Sequence, residues 1–120
     1  MEEPEGYEKQ AELFQALSHP VRLRILDLLA RREACVCHLT AVLRRPQPYV
    51  SQQLSMLRDA NLVADRREGT LIFYRLRDER LAELIAMGRE LVGDTATSGV
   101  PEVPVPGCPC PRCRPAEATA

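Results

Sequence analysis

The sequence predicts a mainly α-helical domain with one β-hairpin and a short tail, and three observations lead to this fold class. Between residues 7 and 91, successive stretches repeat their apolar residues at the spacing of an α-helix. Between residues 62 and 76 the spacing changes to two on either side of Gly69, which is typical of a hairpin. Residues 95–120 hold six of the ten prolines and no apolar periodicity. We therefore expect one domain over residues 1–94 and a flexible tail, rich in proline and cysteine, over residues 95–120.

Two helices are predicted before residue 34. The first covers residues 7–17, and Pro20 fits the first turn of the second, with His19 just before it as a helix-start residue. The second helix is apolar on more than one side, so we expect it to form the buried centre of the domain, with Leu23 among its inward residues.

The next two helices are short and separated by a tight turn at residues 44–47. One is expected over about residues 36–43, and the other begins at Gln47 or Pro48. Two such helices followed by an arginine-bearing hairpin predict a winged helix-turn-helix. In that fold the second of these helices enters the DNA major groove and the hairpin, called the wing, lies along the backbone or minor groove. A last helix is predicted from Asp78 to Leu91, ended by Gly93.

Charge and side-chain type both indicate a DNA-binding surface in the middle of the chain. Residues 22–80 hold twelve arginines against seven acids, whereas the rest of the chain sums to −6. Glutamine, serine and tyrosine can hydrogen-bond base edges and phosphates, and arginine attracts the backbone whatever its sequence. The alternative is an ordinary solvated helix surface. The candidate DNA-binding residues are Gln47, Tyr49, Ser51, Gln52, Ser55, Arg58, Arg66, Arg67 and Arg75.

Five cysteines are grouped in two clusters, which predicts ligands or redox groups. The chain has no apolar run of about 18 residues and opens with acidic residues, so we expect a cytoplasmic protein without a membrane partner. In that reducing compartment a disulfide framework is disfavoured. Thiolates prefer soft ions: three in a pyramidal arrangement suit arsenite or antimonite, and three or four suit cadmium, lead or mercury. Residues two apart on a helix point about 200° away from each other, so Cys35 and Cys37 can share an ion only if Cys35 precedes the helix or the first turn is distorted. The candidate ligands are Cys35, Cys37, Cys108, Cys110 and Cys113.

Four motifs in the same order closely resemble the ArsR/SmtB family of metal-sensing transcriptional repressors. They are SHPVRLRIL at 18–26, CVCxL at 35–39, QPxVSxxLxxLR at 47–58 and GxxxxYRL at 69–76. The resemblance covers about residues 10–92. It implies a homodimer that binds a palindromic operator without inducer and releases it when the inducer binds.

The resemblance also places the dimer interface on the first and last helices. Their apolar stripes are more than so small a domain is expected to bury alone, although packing on each other within one chain is the alternative. The candidate interface residues are Leu13, Phe14, Leu17, Leu81, Leu84 and Ile85.

The local thiol set is incomplete by the family's pattern. Arsenite-sensing members carry a third cysteine three positions after the second, where this chain has Thr40. The third ligand is then His38 or a tail thiol, since the 16 steps from Val92 to Cys108 span about 50 Å as extended polyproline.

Three other interpretations of the cysteines stay open. Cys35 and Cys37 can be small buried residues with no ligand role. The tail cluster can form a separate site, either of three sulfurs or a zinc site completed by another chain. A redox or persulfide switch between Cys37 and a tail cysteine would give a thiol-responsive repressor of the same fold.

Two further functions are disfavoured by the sequence. The family's zinc site on the last helix looks absent, because Arg80 stands where that site has a histidine and no histidine follows His38. No nucleophile, base and orienting group form a catalytic set, and no phosphate-binding glycine loop is present. We therefore do not expect an enzyme.

Overall fold

The computed structural model describes residues 5–93 and confirms a mainly helical fold with a β-hairpin. The predicted tail, with Cys108, Cys110 and Cys113, lies outside the described residues. The elements in chain order are α1 Glu5–Leu17, α2 Pro20–Arg31, β1 Ala34–Cys35, α3 Val36–Leu43, α4 Gln47–Asp59, β2 Val63–Glu68, β3 Leu71–Leu76 and α5 Arg80–Leu91.

The break between α1 and α2 follows the sequence prediction. His19 is the residue before α2, and its Nδ1 accepts a hydrogen bond from the Val21 amide at 3.2 Å. This confirms His19 as a helix-start residue. The prediction that Leu23 faces inward is wrong, because its side chain is 38% exposed. A domain of this size cannot cover every side of a helix.

The turn between α3 and α4 is built on backbone geometry. Arg44 ends α3 in the left-handed conformation (φ 54°), and its amide donates to the Thr40 carbonyl at 3.0 Å. Pro46 then starts α4, because the Val50 amide donates to its carbonyl at 3.1 Å. Helix α4 carries an apolar stripe on its inward side, with its residues spaced at three and four positions. Its members are fully buried, namely Val50, Leu54 and Leu57.

The sheet has three antiparallel strands in the order β1, β3, β2. Gly69 turns between β2 and β3 with φ 62°, a conformation that glycine adopts without strain. Strand β1 was not predicted, since two residues carry no periodicity. It pairs Ala34 with Tyr74 and Cys35 with Phe73. The wing is therefore joined to the segment that enters α3.

Helix α5 is fastened to the centre of the domain. Arg89 donates to the Asp27 carboxylate of α2 at 2.8 Å, and Leu81 is buried in the core. Gly93 closes the helix with φ 78°, and its amide donates to the Glu90 carbonyl at 3.0 Å. Within residues 5–93, no helix is long and apolar enough to cross a membrane.

Candidate DNA interface and thiol site

The outer face of α4 presents the polar side chains that the sequence selected. Gln47 and Gln52 are exposed. The other three candidates on this helix are partly exposed, namely Tyr49, Ser51 and Ser55. The neighbouring Gln53 is only 6% exposed, and its Oε1 has no hydrogen-bond partner among residues 5–93. The helix thus turns Gln52 outward and Gln53 into the protein.

The four candidate arginines differ in what holds them. Arg58 pairs with Asp65 of β2 at 3.3 Å, and Arg66 donates to Glu33 at 2.7 and 2.8 Å and to Glu68 at 2.6 Å. The other two, Arg67 and Arg75, are exposed and form no ion pair within the part of the chain that the structure describes.

Arg45 was missed by the sequence reasoning. It is exposed in the turn before α4, with its guanidinium carbon 5.6 Å from the centre of the Tyr49 ring. Its position one residue before the Pro46 start of α4 was the available signal. An arginine beside a ring on the outer face of α4 adds positive charge to that face.

Cys35 and Cys37 lie side by side, with their sulfurs 2.6 Å apart, and both are thiols. Cys35 is in β1 and directly precedes α3, whereas Cys37 is in the first turn of the helix. Because Cys35 precedes the helix, the two thiols can share one ion without a distorted first turn. The Cys35 Sγ also accepts a hydrogen bond from the His38 amide at 3.3 Å. An amide at a helix start favours negative charge on the sulfur.

The thiol pair fits a soft ion, and Cys37 has the freedom to adjust to one. Two sulfurs bound to one ion at about 2.3 Å in tetrahedral geometry lie ~3.7 Å apart. An ion therefore requires a different placement of the two sulfurs. Cys35 is fully buried and held by strand pairing, whereas Cys37 is partly exposed. The adjustment falls to the Cys37 side chain and the start of α3.

Residues 5–93 bring no third histidine, cysteine or acidic ligand together with the thiol pair. Over this range no three histidine, cysteine or acidic side chains come together as a metal-binding group. His38, one of the two candidates for the third ligand, is only 4% exposed. The hydroxyl of Thr40 is buried without a hydrogen-bond partner among the described residues, at the position where the family's pattern has its third cysteine.

The predicted dimer residues divide into three groups by their burial in one protomer. Leu17 and Leu81 are only 8% and 7% exposed and belong to the core of one protomer, so they have little area left for an interface. Phe14 is 47% exposed. The remaining candidates are partly buried against the core, namely Leu13, Leu84 and Ile85. The assignment of Leu17 and Leu81 to the interface stays a prediction, although both contribute to the core of one protomer.

The two short helices and the arginine-bearing wing define a winged helix-turn-helix DNA-binding protein. The family model described as "Bacterial regulatory protein, arsR family" matches residues 19–65. An uncharacterized HTH-type transcriptional regulator of Methanocaldococcus jannaschii is 46% identical over 88 residues, which cover 72% of this chain and 99% of that protein. A transcriptional repressor SmtB homolog of Synechocystis sp. is 43% identical over 77 residues, covering 64% and 58%.

A solved structure agrees with these sequence matches. The homodimeric winged helix-turn-helix DNA-binding domain from Mycobacterium bovis, a possible ArsR-family regulator, superposes with a TM-score of 0.69 at 29% identity. The match covers 79% of this chain and 92% of that domain. This chain belongs to the ArsR/SmtB family of transcriptional regulators. Its relatives and its fold are those of regulators and not of enzymes.

Proposed function

We propose that the protein is a homodimeric repressor that binds a palindromic operator and releases it when a thiophilic ion binds. Arsenite or antimonite is the first choice of ion, and cadmium or lead the second. Cys35 and Cys37 supply two ligands and the tail cluster supplies the third. One observation carries the proposal: the two thiols are 2.6 Å apart where the strand paired with the wing enters α3.

The position of the thiol pair explains how a bound ion would affect the proposed DNA-binding surface. Cys35 is paired in the sheet with Phe73 of the wing strand β3. Cys37 is in the first turn of α3, which leads through three residues to α4. A different placement of the two sulfurs therefore changes the wing, the start of α3, or both. An ion shifts DNA affinity only by its differential binding to the two conformations, typically ~1–3 kcal/mol of coupling.

DNA recognition is assigned to α4 and the wing. Gln52 and Ser51 are proposed to contact base edges in the major groove, with Gln47, Tyr49 and Ser55 at the same surface. Arg67 and Arg75 of the wing and Arg58 at the end of α4 supply phosphate attraction. These assignments rest on exposure and on the position of each side chain in the winged fold. A two-fold dimer presents two such surfaces, which explains a palindromic operator.

Dimerisation is assigned to α1 and α5. Phe14 is a large apolar side chain with 47% of its surface exposed, and Met87 on α5 is 55% exposed. A groove of about 400 Å³ lies between the two helices, lined in part by Leu13 and Leu84. A second copy that brings the same helices would bury these residues, in keeping with the homodimeric relative.

The test is release of a fluorescent operator fragment by added ions. We expect arsenite or antimonite, and then cadmium or lead, to lower operator affinity by about tenfold or more. Zinc should have little effect. Cys35→Ser and Cys37→Ser should each abolish the response while the protein without ion still binds the fragment. Unchanged affinity with every ion, or a full response in Cys37→Ser, would overturn the proposal.

The close approach of the two sulfurs also favours a second candidate, a repressor that responds to oxidants or persulfides. Cys37 is partly exposed and thus accessible to such reagents. In this case a disulfide or polysulfide that involves Cys37 would replace the ion. The second candidate would be favoured if a persulfide donor released the operator and a thiol reductant restored binding. In that case none of the ions should release the operator.

A further inference from the structure

The wing sheet has a second face, separate from the main core, and the thiol pair lies on it. Arg66 pairs with Phe73 across β2 and β3, and Phe73 pairs with Cys35 across β3 and β1. Paired residues of adjacent strands project to the same face of a sheet. Cys35 and Phe73 form a small buried cluster of their own, against which Cys37 and Leu71 pack.

Arg66 joins this face to the loop before the thiol strand. Its Nε and Nη2 donate to the two carboxylate oxygens of Glu33 at 2.8 and 2.7 Å, and its Nη1 donates to Glu68 at 2.6 Å. The guanidinium carbon is also 4.6 Å from the centre of the Phe73 ring. Glu33, which precedes Cys35 by two residues, has its pKa held below the usual range by the hydrogen bonds from Arg66. We name Glu33, Arg66 and Phe73 the wing clasp.

The contacts of the wing clasp bear on the prediction that Arg66 contacts DNA. Arg66 was predicted to contact DNA because of its charge and position. However, its guanidinium nitrogens already donate to the carboxylates of Glu33 and Glu68. Its planar face also lies over the Phe73 ring. A phosphate contact would require these partners to be given up. Arg67, the next residue on β2, has no ion pair among residues 5–93.

We propose that the wing clasp positions the wing against the thiol strand, so that Arg66 supports operator binding by holding the wing and not by contacting phosphate. The clasp also carries the effect of an ion at Cys35 and Cys37 to the wing, and this second half rests on the proposed function. Arg66 is on this account a positioning residue.

The first test uses the full chain without ion and compares Glu33→Gln with Arg66→Gln. Each substitution breaks the clasp, so each should weaken operator binding by up to about fivefold, the upper end for a single exposed ion pair. The double variant should bind the operator no more weakly than Arg66→Gln alone, because Arg66→Gln already removes the contact with Glu33. The slope of log affinity against log salt should not change, because no phosphate contact is lost.

Arg67→Gln is the matched control for the salt slope. It removes an arginine from the adjacent position on the same strand, and the slope should fall by about one. The proposal is overturned if Arg66→Gln also lowers the slope by about one while Glu33→Gln tightens binding. That pair of results would mean that Glu33 competes with phosphate for a DNA-contacting Arg66.

A conservative variant keeps the test decisive if Arg66→Gln folds poorly. Arg66→Lys retains the positive charge but cannot form the two-pronged contact with Glu33. It should behave like Glu33→Gln if Arg66 positions the wing. Operator affinity and salt slope equal to those of the unmodified chain would contradict the proposal.

The second test follows amide hydrogen exchange in residues 71–76 with and without cadmium. Ion binding is checked separately by sulfur-to-cadmium absorption. Exchange in the wing should change on ion binding in the unmodified chain and should not change in Glu33→Gln. An equal change in both proteins would overturn the role of the clasp in transmission. If the unmodified chain shows no sulfur-to-cadmium absorption, the thiol-site proposal has failed. The first test, which is done without ion, still decides whether Arg66 positions the wing.

Discussion

Thr40 is the residue at which this chain departs from the three-cysteine pattern of arsenite-sensing relatives. It lies three positions after Cys37 on α3, so the two side chains share a face of the helix. Its hydroxyl is buried and has no hydrogen-bond partner within residues 5–93. A thiol there would lose no hydrogen bond and would stand next to the existing pair. Thr40 is therefore the position from which the local site can be completed.

We predict that Thr40→Cys makes ion binding independent of the tail. The unmodified chain should bind one arsenite per protomer and lose it when residues 96–120 are removed, since the tail supplies the third sulfur. The Thr40→Cys chain should keep the ion after the same truncation. The measurement is bound arsenic per protomer, by elemental analysis after gel filtration.

The control for that experiment is Thr40→Ser, which keeps a hydroxyl and adds no thiol. It should lose the ion on truncation as the unmodified chain does. Retention of one ion by the truncated, unmodified chain would show that the Cys35 and Cys37 site does not need the tail. The tail cluster would then be a separate site.

The residues of the wing clasp show why part of the site could not be predicted from the sequence. Charge and position selected Arg66 as a DNA contact, but its actual partners depend on strand register. Glu33 lies 33 positions away and is brought to Arg66 only because β1 pairs with β3. In contrast, the outward position of Gln52 follows from helical periodicity alone, and the structure bears it out.

At the scale of elements, periodicity predicted every helix and the hairpin but not β1. The α4 stripe repeats at three and four residues and buries Val50, Leu54 and Leu57 completely. A two-residue strand offers no repeat to detect, and its existence depends on the edge of β3 that it covers. This strand brings Cys35 out of the helix and beside Cys37.

The burial of individual residues in the proposed dimer region also could not be predicted from the sequence. An apolar stripe on α1 or α5 does not tell which residues face their own core and which face a partner. The structure separates Leu17 and Leu81, which the core contains, from Phe14, which remains exposed.

We predict that Phe14→Ala weakens the dimer. Burying a phenylalanine side chain contributes about 1.5–3 kcal/mol, so the dimer dissociation constant should rise by at least about tenfold. Operator affinity should fall with it, because each protomer then binds half of a palindrome alone. Sedimentation equilibrium measures the dissociation constant.

Leu23→Ala is the control for the dimer experiment. Leu23 is 38% exposed on α2, outside the predicted interface, so its removal should leave the dissociation constant unchanged. A monomer at micromolar concentration in the unmodified chain would contradict the assignment of α1 and α5.

At the scale of the whole molecule, the thiol pair lies between the two elements that we propose to contact DNA. The wing is reached through the pairing of Cys35 with Phe73, and α4 is reached through α3 and the turn at Arg44. An ion bound there has a physical route to both. We expect the twelve arginines of residues 22–80 to supply a salt-dependent attraction to DNA, which the ion-bound conformation would use less well.

We propose that ion binding and operator binding oppose each other. This opposition can be measured directly as a change in ion affinity when the operator is bound. Because coupling is reciprocal, the factor by which the ion weakens operator binding must equal the factor by which the operator weakens ion binding. The measurement is a titration with cadmium or arsenite of the free protein and of the protein saturated with operator fragment. We predict that the ion binds the free protein about tenfold or more tightly. Equal ion affinity in the two titrations would contradict the account.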